Sequence, residues 1–250
     1  MATRASERNE VKICGVNACR ALFQRRPGDV LRVFLTAALV QSFGPALRAC
    51  ARARRPYRVV RGEELERIAA SRHHEGICVV ARAPAARSLA EILRAPGPAV
   101  ILALAGVGNP HNVGALVRTA AHFGARAALV AGPGKRLPAA AYRTAEGAAE
   151  WLDIAFPGDM ARACAAARRD GFAVCATSSR EGESLFERRL PTRALLLMGA
   201  ERDGLPASLM AVADRLLRIP GTGRVDSLNV ASATAVILAE MWRQRSAAAQ

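Results

Sequence analysis

Aromatic residues make up only 4% of this 250-residue chain, and lysine is confined to Lys12 and Lys135. The first scarcity argues against recognition by an aromatic platform on which bases stack. Long apolar runs are missing as well. The longest, such as 99–105 and 194–200, are far too short to cross a bilayer, and the opening MATRASERNEVK holds no signal-peptide core. The chain is therefore expected in the cytoplasm, with no membrane partner. The six cysteines form no CxxC pair and no cluster with histidine, so neither a disulfide framework nor a metal site is expected, and the thiols are read as reduced.

Cation, by contrast, is abundant: 36 Lys plus Arg stand against 21 Asp plus Glu, a formal charge of +15. A field of that sign favours a polyanion, of which nucleic acid is the commonest. The hydrophobic content of 51% excludes a disordered chain, and the length suits two domains.

Residues 1–10 read as a disordered tail. From 11 to 82, strands alternate with helices, which implies a small layered α/β domain. Its arginine run ARARRPYRVVR fits either a solvated face or a phosphate contact. Residues 83–98, with proline near both ends, read as a linker. A second α/β domain covers 99–250. It opens on AVILALAG, an unbroken apolar run ending in glycine, as in a strand buried on both faces of a parallel sheet. A helix is expected near 139–151. Ligands of such sheets sit in loops beyond the strand ends, here 106–112, 199–206 and 220–229.

Familiar phosphate and hydrolase motifs fail on spelling. GVGNPH at 106–111 has His111 where a dinucleotide loop needs its third glycine, and GPGK at 132–135 lacks the spacing of a P-loop. No serine stands in a G-x-S-x-G elbow. The three loops do carry an uncommon polar set: Asn112, Arg118, Glu201, Ser227 and Asn229. Asn112 is placed to cap the helix carrying Arg118. Glu201 is either exposed or paired with an arginine. The stretch IPGTGRVDSLNVASATAVILAEMW, residues 219–242, reads either as strand, turn and capped helix or as a site at the edge of a core.

Taken in order, N-x-x-x-x-x-R in GNPHNVGALVR, G-x-E-x-x-G-L in GAERDGL and I-P-x-x-G-x-x-x-S-L-N-V resemble the three motifs of the SpoU (TrmH) family of RNA ribose 2'-O-methyltransferases. CGVNA and HHEGI in residues 11–82 are similar, more weakly, to the L30e-like substrate-binding domain that precedes the catalytic domain in many members. The resemblance implies an α/β catalytic domain with a C-terminal trefoil knot over a parallel sheet, S-adenosylmethionine as cofactor, a homodimer, and tRNA or rRNA as substrate. It places Gly199, Ile219, Gly223 and Leu228 at the cofactor. It assigns Arg118 to the ribose hydroxyl, with Asn112, Glu201, Ser227 and Asn229 positioning it. Asn109, Gly221 and Ala231 depart from the common pattern. The alternative is a non-catalytic RNA-binding protein that keeps the same scaffold.

Overall fold

The computed structural model describes residues 10–85, 87–132, 136–201 and 203–247. All of the expected tail but Glu10 thus lies outside the described residues, as does the GPGK turn beyond Gly132. The chain divides into two compact units, Met1–Ala85 with Pro138–Trp151, and Ala86–Leu137 with Leu152–Gln250.

The first unit runs β1 (Glu10–Cys14), α1 (Val16–Arg25), β2 (Val30–Leu35), α2 (Gly44–Arg52), β3 (Tyr57–Val59), α3 (Gly62–Ala69) and β4 (Ile77–Arg82). Its sheet has the order β1-β4-β2-β3, antiparallel at β4 and parallel between β2 and β3. The central strand β4 is buried from Ile77 to Ala81, which explains its uninterrupted apolar spelling. The helix α2 begins only at Gly44, after a 3-10 turn at Ala37–Leu39, with Pro45 in its first turn.

The second unit holds α4 (Leu89–Arg94), β5 (Ala99–Leu104), α5 (Pro110–His122) and β6 (Ala127–Val130). After the segment given to the first unit come β7 (Asp153–Ala155), α7 (Met160–Arg169), β8 (Ala173–Thr177) and β9 (Glu183–Ser184). It ends with β10 (Arg193–Met198), α8 (Ala207–Met210), β11 (Arg215–Arg218) and α9 (Val230–Ala247). Seven strands form one sheet in the order β7-β6-β5-β10-β8-β11-β9, and every pairing is parallel. Strands β5 and β10 lie at its centre and are buried almost throughout. Alternate residues Ile101, Ala103, Leu195 and Leu197 pack with Ile92, Met160, Ala163 and Phe172 on one face. No helix among the described residues is long and apolar enough to cross a membrane. All six cysteines are free, and burial pushes the Cys175 thiol up to about 12 and Cys164 up to about 11.

One element differs from expectation. The helix expected over 139–151 breaks into α6 (Ala139–Thr144) and a 3-10 turn at Ala148–Glu150. Gly147 separates them at φ 90°, and a Cβ there would stand 2.7 Å from Ala21 Cβ and 2.9 Å from the Asn17 carbonyl oxygen. Close approach to α1 thus demands glycine and ends the helix. Glu150 then receives both Nε and Nη2 of Arg26, with side-chain exposures of 4% and 15%. Arg26 also donates to Asp29 at 3.2 Å and to the Arg82 carbonyl at 2.7 Å, but its Nε and Nη2 lose their acceptor when Glu150 is removed. Glu150→Ala should therefore cost about 3 kcal/mol in chemical denaturation of the full chain, and Arg26→Met/Glu150→Leu should recover most of that loss.

Candidate active site

Because all strand pairs of the second unit are parallel, the loops after β5, β8, β10 and β11 emerge along one edge of the sheet. β5 and β10 are neighbours in register, Leu104 beside Met198, so the first two motif loops start side by side. A Cβ on Gly106 would lie 3.6 Å from that of Ala200.

The loop after β10 is closed on itself. Ala200 and Gly204 exchange backbone hydrogen bonds of 3.1 and 3.0 Å, with Gly204 at φ 65°. A side chain on Gly199 would meet the Gly204 carbonyl carbon at 2.3 Å and the Leu205 nitrogen at 2.5 Å. Backbone against backbone at the first glycine, and a left-handed turn at the second, are what the G-x-E-x-x-G spelling encodes. Glu201 projects from this turn and is exposed. Its carboxylate accepts from Asn229 Nδ2, so it is paired with an amide rather than an arginine.

Asn229 ends the loop after β11. Its Oδ1 accepts from the Ala231 amide at 2.8 Å and its backbone carbonyl from Ala233 at 2.9 Å, which makes it the cap of α9. Two directed bonds thereby fix the side-chain amide: oxygen to the helix, nitrogen to Glu201. The second and third motifs are joined by this contact. Ser227, Leu228 and Gly223 lie in the same exposed loop, and Ile219 is half-buried just after β11. Among the described residues, the one hydrogen bond within 219–228 runs from the Arg224 amide to Thr222 Oγ1 at 3.5 Å.

The first motif sits on α5. Its cap is Asn109, whose side chain accepts from the His111 amide at 2.9 Å, with Pro110 at the first helical position. The helix thus starts three residues earlier than the spacing suggests, and Asn112 lies within its first turn rather than at its cap. Proline is suited to a position whose amide has no intrahelical acceptor. Arg118 is exposed, about 12 Å along the axis from Pro110. α5 packs against α9. A hydrogen bond of 3.0 Å from Arg245 Nη2 to the Phe123 carbonyl joins their C-terminal ends, so the helices run side by side in the same direction. Their N-terminal turns, bearing Asn112 and Asn229, therefore lie at the same edge. Further along α9, Arg243 holds the buried Glu240 carboxyl down to about 2.

A fourth loop, 178–182, reaches this edge after β8 and was not expected from the motifs. Its one sequence signal is Gly182, at φ 113°, where a Cβ would meet the Leu216 carbonyl oxygen at 2.5 Å. Among the described residues, no group of three or more His, Cys, Asp or Glu could hold a metal ion.

The SpoU rRNA Methylase family model matches residues 98–239, more than half of the chain. The chain belongs to this family. A second model, for RNA 2'-O ribose methyltransferase substrate binding, matches residues 12–86. The chain is 35% identical over 245 residues to YfiF of Escherichia coli O157:H7, an uncharacterized tRNA/rRNA methyltransferase, covering 98% of this chain and 71% of YfiF. It is 34% identical to the 23S rRNA (guanosine-2'-O-)-methyltransferase RlmB of Bordetella pertussis, covering 93% of this chain and 97% of RlmB. Among solved structures, an AdoMet-bound rRNA methyltransferase from Sinorhizobium meliloti superposes with a TM-score of 0.76 at 25% identity, covering 97% and 90% of the two chains.

The site offers S-adenosylmethionine a fitting place. Gly199 lets the Gly204–Leu205 backbone close against the end of β10, and the exposed glycine-bearing loop 219–228 has backbone polar groups with no hydrogen bond among the described residues. Gly199→Ala should force the β10 turn open. Isothermal titration with S-adenosylmethionine is expected to show at least tenfold weaker binding, and wild-type affinity would refute the role of that turn.

Proposed function

We propose that this protein transfers a methyl group from S-adenosylmethionine to a ribose 2'-hydroxyl of tRNA or rRNA. One observation carries the reading: three family motifs, distant in sequence, end at one edge of a parallel sheet, two of them joined by the Glu201–Asn229 bond. The full-length relationship to RlmB supports it.

When bound, the cofactor supplies a methyl carbon on a sulfonium, which is open to in-line attack by an oxygen. The chain's task is to align that oxygen and lower the cost of the charge it develops. Arg118 does the second. Its guanidinium donates hydrogen bonds to the developing alkoxide, the sulfur leaves as the neutral thioether, and the hydroxyl proton passes to water or to an RNA phosphate. Glu201 and Asn229 hold each other and so stiffen the two loops against the ribose. Asn112 and Ser227 complete the polar rim. Gly199, Ile219, Gly223 and Leu228 form the cofactor cradle, where backbone groups carry most of the recognition.

The unit containing residues 11–82 takes the RNA, and the helix α9 with its surrounding loops takes part in a trefoil knot. A homodimer is part of this reading, with Trp242, 51% exposed on α9, as the apolar side chain that a second copy would cover. The protein works in the cytoplasm, where its RNA is.

The decisive assay uses labelled S-adenosylmethionine with undermethylated bulk RNA, followed by mapping of 2'-O-methyl positions. Arg118→Ala is expected to lower transfer by at least 10²-fold while RNA affinity changes little. Should the wild type transfer no label while binding the cofactor normally, the enzyme reading falls and the RNA-binding scaffold takes its place. Trp242→Glu should shift the mass by light scattering from dimer to monomer, and an unchanged mass would remove Trp242 from the interface.

A further inference from the structure

Between Asp29 and Glu63 the chain carries seven arginines and not one acidic residue, and six of the seven fall within Arg48–Arg61. The fold lays this stretch on the surface of the first unit. Arg48 and Arg52 are one turn apart on α2 and both exposed; the chain then turns into β3, the outermost strand of its sheet, in which Tyr57, Arg58 and Val59 are all exposed. Arg58 is paired with Glu64 at 3.0 Å. Arg48, Arg52, Arg54 and Arg61 have no ion pair or side-chain hydrogen bond among the described residues.

Two of these arginines stand where local stability asks for something else. The Arg55 amide bonds the Cys50 carbonyl at 2.8 Å and the Arg54 amide that of Ala51 at 3.0 Å, the paired bonds of a Schellman helix end. Arg54 is its left-handed residue, at φ 53°, a position that strongly favours glycine. Arg61 is the N-cap of α3 and makes no capping bond; Ser, Asp or Asn would satisfy an amide there, and a cation faces the positive end of the helix dipole. One arginine thus holds a left-handed position and another an uncapped helix start, both exposed on the same unit. Local rules broken together in one place mark a functional surface.

We infer that the end of α2 and the open edge of β3 form a phosphate track that grips the substrate RNA backbone without regard to sequence, with Arg48, Arg52, Arg54 and Arg61 as its contacts. The inference rests on the methyltransferase reading for the identity of the RNA. A single exposed tyrosine among free cations fits backbone binding rather than base stacking. Unpaired cations also favour a polyanion over an added protein strand at this edge.

The test uses the full chain, with undermethylated bulk rRNA and tRNA titrated from 50 to 300 mM salt. Arg54→Gly/Arg61→Ser should melt above the wild type, because it installs the residues that both helix ends prefer. The same variant should bind RNA about tenfold more weakly near 100 mM salt, and its slope of log affinity against log salt should be shallower by roughly 1.4 to 1.8. Arg94→Ser/Arg169→Ser removes two exposed charges from the second unit and should leave the slope near the wild-type value. In methyl transfer, the track variant should raise KM for RNA and keep kcat. Arg48→Gln/Arg52→Gln, on an exposed helical face, gives the same readout if the first variant folds poorly. Wild-type affinity and slope in both track variants, or an equal loss in the Arg94/Arg169 control, would overturn the track. A wild type that binds RNA through these residues but transfers no methyl group would leave the track standing and remove the methyltransferase reading.

Discussion

Parallel pairing through the whole seven-stranded sheet is the constraint on which the site depends. A parallel strand cannot turn straight back, so each must be followed by a loop and a return path, and every such loop starts at the same edge. Residues 106, 182, 199 and 219, spread over more than a hundred positions of sequence, thereby become neighbours along one rim. The central pair β5 and β10 supplies the closest of these meetings, since their register puts Leu104 beside Met198 and leaves the following loops side by side. Burial of both strands on both faces makes that register stiff, and the polar residues beyond it inherit the stiffness.

Within that rim, small residues and polar residues divide the work. Glycines at 199 and 182 let backbone pass within contact distance of backbone, which a Cβ would prevent, and Gly204 supplies the left-handed turn at φ 65°. Asn229 then uses both ends of one amide, capping α9 with its oxygen and holding Glu201 with its nitrogen. The helix gains a satisfied terminus and the two loops gain a crosslink from the same side chain. A residue with two structural duties leaves little freedom to drift.

Much of this was legible in the sequence, for identifiable reasons. The buried strands announced themselves as unbroken apolar runs, and the motif loops as glycine and polar clusters directly after them. The cap of α5 was misplaced because Asn112 and Asn109 are both plausible caps by composition; Pro110, fitted for a first helical position, decided for Asn109. The short strands β7 and β9 escaped because three and two residues give no periodicity to read. The loop at 178–182 carries no motif and depends on one glycine whose tight packing against Leu216 is a long-range fact. The same holds for Gly147, which looks like a helix interior residue until Asn17 and Ala21 are brought against it.

That last contact bears on how the protein is made. The first unit is completed by Pro138–Trp151, where α6 lies against β1 and Glu150 buries its charge against Arg26. During synthesis, the first eighty-five residues can form their sheet, but the groove around Asn17, Ala21 and Arg26 stays uncovered until the segment ending at Trp151 has left the ribosome. The Arg26 guanidinium, held only by Asp29 and the Arg82 carbonyl, awaits its second carboxylate while some fifty residues of the next unit emerge. The first unit therefore cannot be completed until residues 86–137 of the second have been made.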